Sequence, residues 1–110
     1  MTALALANTV RLEGAQWKRE IKALPTRQEA TRRVADDILA NAPGCAGLRV
    51  AQALRAIPKV GPGKVPKLCR RADLLRDPHK LRVRDMVATE RERMATALRA
   101  WVEEERSEGC

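Results

Sequence analysis

Gly61 and Gly63 flank a single proline inside the stretch Leu54-Arg-Ala-Ile-Pro-Lys-Val-Gly-Pro-Gly-Lys-Val-Pro-Lys-Leu-Cys-Arg-Arg71. The chemistry that this pattern can do is the capture of an anion. Glycine lets backbone N–H groups come close to a ligand. A helix start adds unpaired N–H donors and the positive end of the helix dipole. The apolar residues after the loop predict a helix from about 65 to 72, so both features would meet at one corner. Lys59 and Lys64 bracket the glycines, and Lys67, Arg70 and Arg71 follow on the next turns. Such a corner suits phosphate, and phosphates spaced along a backbone mean nucleic acid. The competing reading of Gly61 and Gly63 is a plain tight turn, which needs no lysines beside it.

The charge distribution points the same way. The chain has 110 residues with 22 Lys and Arg against 14 Asp and Glu, a net charge of +8. Residues 47–84 hold eleven of the bases and two of the acids, Asp73 and Asp77, whereas residues 85–110 are net acidic. The basic block therefore coincides with the glycine loop, which implies a polyanionic partner better than the isoelectric point does. Within the block, Arg82 and Arg84 alternate about Val83, a spacing that would aim both guanidiniums to one side. Lys18, Arg19 and Lys22 share a helical face near the N-terminus. They could cross a nucleic-acid backbone at a second surface, or they could balance Glu13 and Glu20.

Several chemistries are disfavoured. Phe and Tyr are absent and the aromatics are Trp17 and Trp101, so a sheet that stacks bases on an aromatic platform is not expected. Cys45, Cys69 and Cys110 are widely spaced and lack a CxxC pair, and His79 is the one histidine. No zinc site or disulfide framework follows, which fits a reducing cytosol. No nucleophile–base set is visible, and the acidic pairs fall on a polar helical face (Asp36, Asp37) or in a tail (Glu103 to Glu105). The expectation is a non-catalytic cytoplasmic protein with no cofactor, metal or small-molecule substrate. The apolar run at residues 3–7 is too short to span a membrane.

About five helices must position these groups, and no strand is predicted. Leu6, Val10, Trp17, Ile21 and Leu24 recur at helical spacing and predict a helix over 8–24, ended by Pro25. Thr26-Arg-Gln-Glu29 is a capping box that opens a second helix, with Ala30, Val34 and Ile38 every four residues. A third spans about 48–56 and is closed by Pro58. The fourth begins after Gly63 with Pro66 near its start, where a missing N–H costs nothing. Residues 79–88 read as turns, with Leu81, Val83, Met86 and Val87 as plugs. Thr89-Glu-Arg-Glu92 is a second capping box and predicts a fifth helix over 89–102. The domain plan is a helical arm at 1–25, a binding domain at 26–102, and a flexible acidic tail at 103–110.

This pattern resembles the actinobacterial integration host factor family. The resemblance is carried by Leu48-Arg-Val-Ala-Gln-Ala-Leu-Arg-Ala-Ile-Pro-Lys-Val-Gly61, by the helix after Lys64, and by Leu81-Arg-Val-Arg84, and it covers about residues 15–98. It implies an all-α chain with a long N-terminal helix ahead of a helix–two-turns–helix domain. It also implies binding of double-stranded DNA in the nucleoid, and compaction of DNA or support of a site-specific recombinase. The chain departs from the family pattern at Pro62-Gly63, which stands where the family carries a basic residue and an apolar one. It also departs at Lys59, which stands where the loop has its first glycine, and at Asp85, which follows the second Arg where the family has glycine. A left-handed backbone at either position would be strained. Related modules also bind RNA or sit on ribosomes, and an adaptor docking a protein through residues 3–7 is a further alternative.

Overall fold

The computed structural model describes residues 3–108. The side chains of Leu6, Val10 and the rest of residues 1–10, and Cys110, lie outside what is described. The chain is all-α: α1 (Ala3–Lys22), α2 (Arg27–Ala40), α3 (Pro43–Ala46), α4 (Val50–Arg55), α5 (Lys64–Arg71) and α6 (Ala88–Glu108), with a 3-10 turn at Val83–Asp85 before α6. Among the described residues the one β-type pairing is an isolated antiparallel bridge between Arg49 and Arg82.

The scaffold is the pair α2 and α6. On α2 the buried residues Ala30, Thr31, Val34, Ala35 and Ile38 recur at helical spacing. They meet Met94, Ala95, Leu98 and Val102 of α6. Burial of side chains of this size contributes about 1.5–3 kcal/mol each for the larger ones. The Thr26 hydroxyl caps α2 by accepting from the Glu29 N–H at 3.1 Å, and Asn41 ends it in a left-handed conformation. Ion pairs lace the outside of this pair: Arg99 to Asp36 at 2.6 Å and Arg32 to Glu103 at 3.2 Å.

The first helix docks rather than projecting freely. Trp17 and Ile21 are fully buried in the same core as α2 and α6. The Trp17 indole N–H donates to Asp37 at 2.7 Å, and Asp37 also accepts from Arg33 at 2.8 Å. Two glycines permit this docking. A Cβ on Gly44 would lie 2.9 Å from Trp17 Cδ1, and one on Gly14 would lie 2.8 Å from Leu48 Cδ2. The apolar spacing in α1 is blind to that closeness, because it depends on where α3 arrives.

Several boundaries differ from the sequence-based expectation. Helix α1 runs Ala3–Lys22, not 8–24. Asn41-Ala-Pro-Gly44 does end α2, but Pro43 then starts the short helix α3, where a proline in the first turn loses no hydrogen bond. Helix α6 begins at Ala88, not with a Thr89 cap. The Glu90 carboxylate accepts the Val87 N–H at 2.9 Å, one half of a capping box without the hydroxyl half. The same helix continues to Glu108, so residues 103–108 are helical and not a loose tail. Glu103 and Glu104 hold Arg32 and Arg71, and those interhelical pairs support the extra turns. Leu81, Val83 and Met86 are buried plugs as expected, but Val87 is exposed.

Candidate nucleic-acid interface

Helix α5 forms where the sequence places it because Val65, Leu68, Cys69 and Ala72 bury one side against α4 and α6. Pro66 is its third residue, still within the first turn, where helix N–H groups have no intrahelical partner. The preceding corner runs 58–63. There the Val60 N–H donates to the Ile57 carbonyl and the Lys64 N–H to the Gly61 carbonyl, each at 3.1 Å. The amides of Gly61 and Gly63 meet no acceptor among the described residues. Of the three amides expected to grip an anion, Lys64's is thus already engaged and those of the two glycines are open.

Neither glycine is required by the fold itself. Both have ordinary negative φ, and a Cβ on either would meet nothing within 4 Å. A plain tight turn would use glycine for positive φ, and here the left-handed residue is Lys59, with φ 68°. Strain thus falls at Lys59, one of the two departures where a left-handed backbone would be strained. Asp85, the other, sits in the 3-10 turn without it.

The cations divide into two groups. Arg32, Arg33, Arg71, Arg76, Arg93 and Arg99 all reach carboxylates. Of the eleven bases in 47–84, Arg71 and Arg76 alone do so among the described residues. The rest of the basic block is left without acidic partners, against the tendency of surfaces to mix signs.

Each expected contact residue can be placed in turn. Lys59, Lys67, Arg70 and Arg84 are exposed, and their side chains have no protein partner. Lys64 is half-buried, with its ammonium 5.5 Å from the Trp101 ring centroid. The Arg27 guanidinium lies 5.3 Å from the same ring. Trp101 is half-buried, packs against the core and also seats two cations. Arg71 is committed to Glu104 by two hydrogen bonds of 2.7 and 2.6 Å. That contact raises the Arg71 pKa and lowers that of Glu104. Arg82 donates to the Gly47 carbonyl at 2.7 Å. Because residues 83–85 form a 3-10 turn, the strand-like alternation of Arg82 and Arg84 is not realised. On α1, Lys18, Arg19 and Lys22 have no carboxylate partner, since Glu20 turns instead to Arg33 at 3.7 Å. They sit on the α1–α3 side of the molecule, while the corner sits on α4, α5 and α6.

Arg49, Arg55 and Lys80 are further exposed bases without acidic partners that the sequence reading did not select. The signal available for them was membership of the basic block. Their placement depends on how residues 78–83 return to α4. Burial pushes the thiols of Cys45 and Cys69 up to about 11, so neither is a ready nucleophile. No group of three or more His, Cys, Asp or Glu among the described residues could hold a metal ion, and no helix among them is long and apolar enough to cross a membrane.

Fold and site together define a small all-α scaffold with an open, cation-lined glycine corner. Compared with protein-family models, curated proteins and solved structures, the chain matches none.

Proposed function

We propose that this chain is a non-catalytic binder of double-stranded DNA that grips the phosphate backbone with little sequence preference. One observation carries the reading: the Gly61 and Gly63 amides have no acceptor among the described residues, in a basic block most of whose cations no carboxylate neutralises. Backbone donors at a helix start suit a phosphate oxygen, and phosphate contacts position a protein on a duplex without reading bases. Lys59, Lys67 and Arg70 add charge around that seat, with Lys64 held beside it by Trp101. Lys18, Arg19 and Lys22 supply a second cationic surface, which would let one molecule bridge duplexes. Nucleoid organisation and support of site-specific recombination, the roles implied by the resemblance to the actinobacterial integration host factors, are compatible with such binding.

The test is duplex affinity across a salt series. Each phosphate neutralised contributes about 0.9 to the log–log slope, so several contacts give a slope of roughly −4 to −7. Charge reversal at Lys67, which has no protein partner, should weaken binding while leaving the melting temperature in place. A slope near zero refutes phosphate gripping. Tighter binding to A-form RNA than to DNA at equal salt would favour the ribonucleoprotein alternative.

A further inference from the structure

The isolated bridge between Arg49 and Arg82 places like charges together. Its two hydrogen bonds run from the Val50 N–H to the Leu81 carbonyl at 2.8 Å and from the Val83 N–H to the Leu48 carbonyl at 2.9 Å. Arg49 and Arg82 are therefore the non-hydrogen-bonded pair of an antiparallel ladder, the closer kind, with Cα atoms about 4.5 Å apart and side chains on one face. Like charges directly opposite one another are destabilising. No carboxylate among the described residues reaches either guanidinium. Arg82 spends one donor on the Gly47 carbonyl, and a guanidinium has five. Arg49 makes no side-chain contact with a protein acceptor, since its helix start is served instead by Gln52, whose side-chain oxygen accepts the Arg49 N–H at 3.0 Å. Nothing within the fold needs an arginine at position 49.

We propose that Arg49 and Arg82 jointly form a second phosphate seat, at the opposite end of α4 from the Gly61–Gly63 corner. The occupant is a phosphodiester of the same nucleic acid, so this inference rests on the DNA-binding reading. Two guanidiniums suit the two non-bridging oxygens of one phosphate, and such charge-assisted contacts are the stronger kind. The anion removes the repulsion that the bridge creates. Helix α4 has six residues, a rise of about 9 Å. Residues 56–60 follow before the glycine corner, so the two seats lie on different segments at the two ends of this helix. The outward residues of α4, Gln52 and Arg55, are exposed between them. Lys80 and Arg84 flank the far end.

The test uses the full chain and Arg49→Gln, which removes an exposed side chain with no protein bonds. Duplex binding is measured over a salt series for the wild type, for Arg49→Gln and for Lys67→Glu. Melting at low ionic strength is followed with and without inorganic phosphate as the probe. The Arg49→Gln slope should be shallower by about 0.9. Its melting temperature without phosphate should equal or exceed the wild-type value, and its rise on adding phosphate should be smaller. If Lys67→Glu weakens binding while Arg49→Gln keeps the wild-type slope and phosphate response, the second seat is refuted and the corner stands. If the wild type does not bind duplex at low salt, the DNA-binding reading falls and this seat's occupant with it.

Discussion

Replacing Lys59 by glycine separates two roles that usually travel together. Lys59 has φ 68°, and a left-handed conformation costs a non-glycine residue about 1–2 kcal/mol. Glycine removes that cost but adds freedom to the unfolded chain, which offsets about 0.4–1 kcal/mol. The Lys59 side chain has no partner in the fold to lose. The net expectation is a gain of about 0.5–1 kcal/mol in stability, or roughly 2–6 °C in melting temperature for a chain of this size. Binding should move the other way. Losing one cation at the phosphate corner should make the salt slope shallower by about 0.9, with affinity falling most at low salt. Urea unfolding and a duplex titration over salt on one preparation read both effects. A variant less stable than the wild type by 1 kcal/mol or more would show that the lysine supports the fold. An unchanged slope would show that it touches no phosphate. Either result removes the argument that strain at this corner is kept for the sake of a ligand.

Three other outcomes follow from the same geometry. Gly61→Ala has room for its Cβ and an ordinary φ, so stability should rise by about 0.4–1 kcal/mol while duplex affinity falls, as read by urea titration and gel shift; undiminished affinity would mean that nothing approaches that amide. Gly44→Ala forces a Cβ to 2.9 Å from Trp17, and overpacking of this kind should cost about 1–3 kcal/mol, together with a changed tryptophan emission. The Arg76 hydrogen bonds, followed by the Val87 N–H, hold the Glu90 carboxyl below its ordinary 4.5. A carboxylate with a depressed folded pKa stabilises above the unfolded value, and that contribution is lost as pH falls through the folded one. Glu90→Gln should therefore be less stable than the wild type at neutral pH and should converge with it below pH 4.5; a gap that persists at low pH would exclude the ion pair as its source.

Residues 26–40 show how far local signals reach. The Thr26 cap, the four-residue recurrence of Ala30, Val34 and Ile38, and the Pro and Gly that follow are adjacent in sequence, and they specify a helix wherever the segment lies. The α5 corner was legible for the same reason: glycine, proline and lysine at short range define a loop feeding a helix. The charge census localised the basic block because counting needs no geometry. Local sequence could not say which cations are neutralised. Arg71 looks no different from Arg70 along the chain, yet α6 continues far enough to bring Glu104 to Arg71, and nothing reaches Arg70.

The amino-acid sequence by itself determined an all-helical, strongly basic chain, the position of its glycine corner, and most helix starts, because caps, periodicity and charge are short-range properties. Tertiary structure decided the rest. It packed α1 against α3 through Gly14 and Gly44, set the left-handed turn at Lys59, and returned residues 81–83 alongside 48–50 so that Arg49 and Arg82 face each other. These are contacts between segments up to 35 residues apart, and only the fold brings such segments into register.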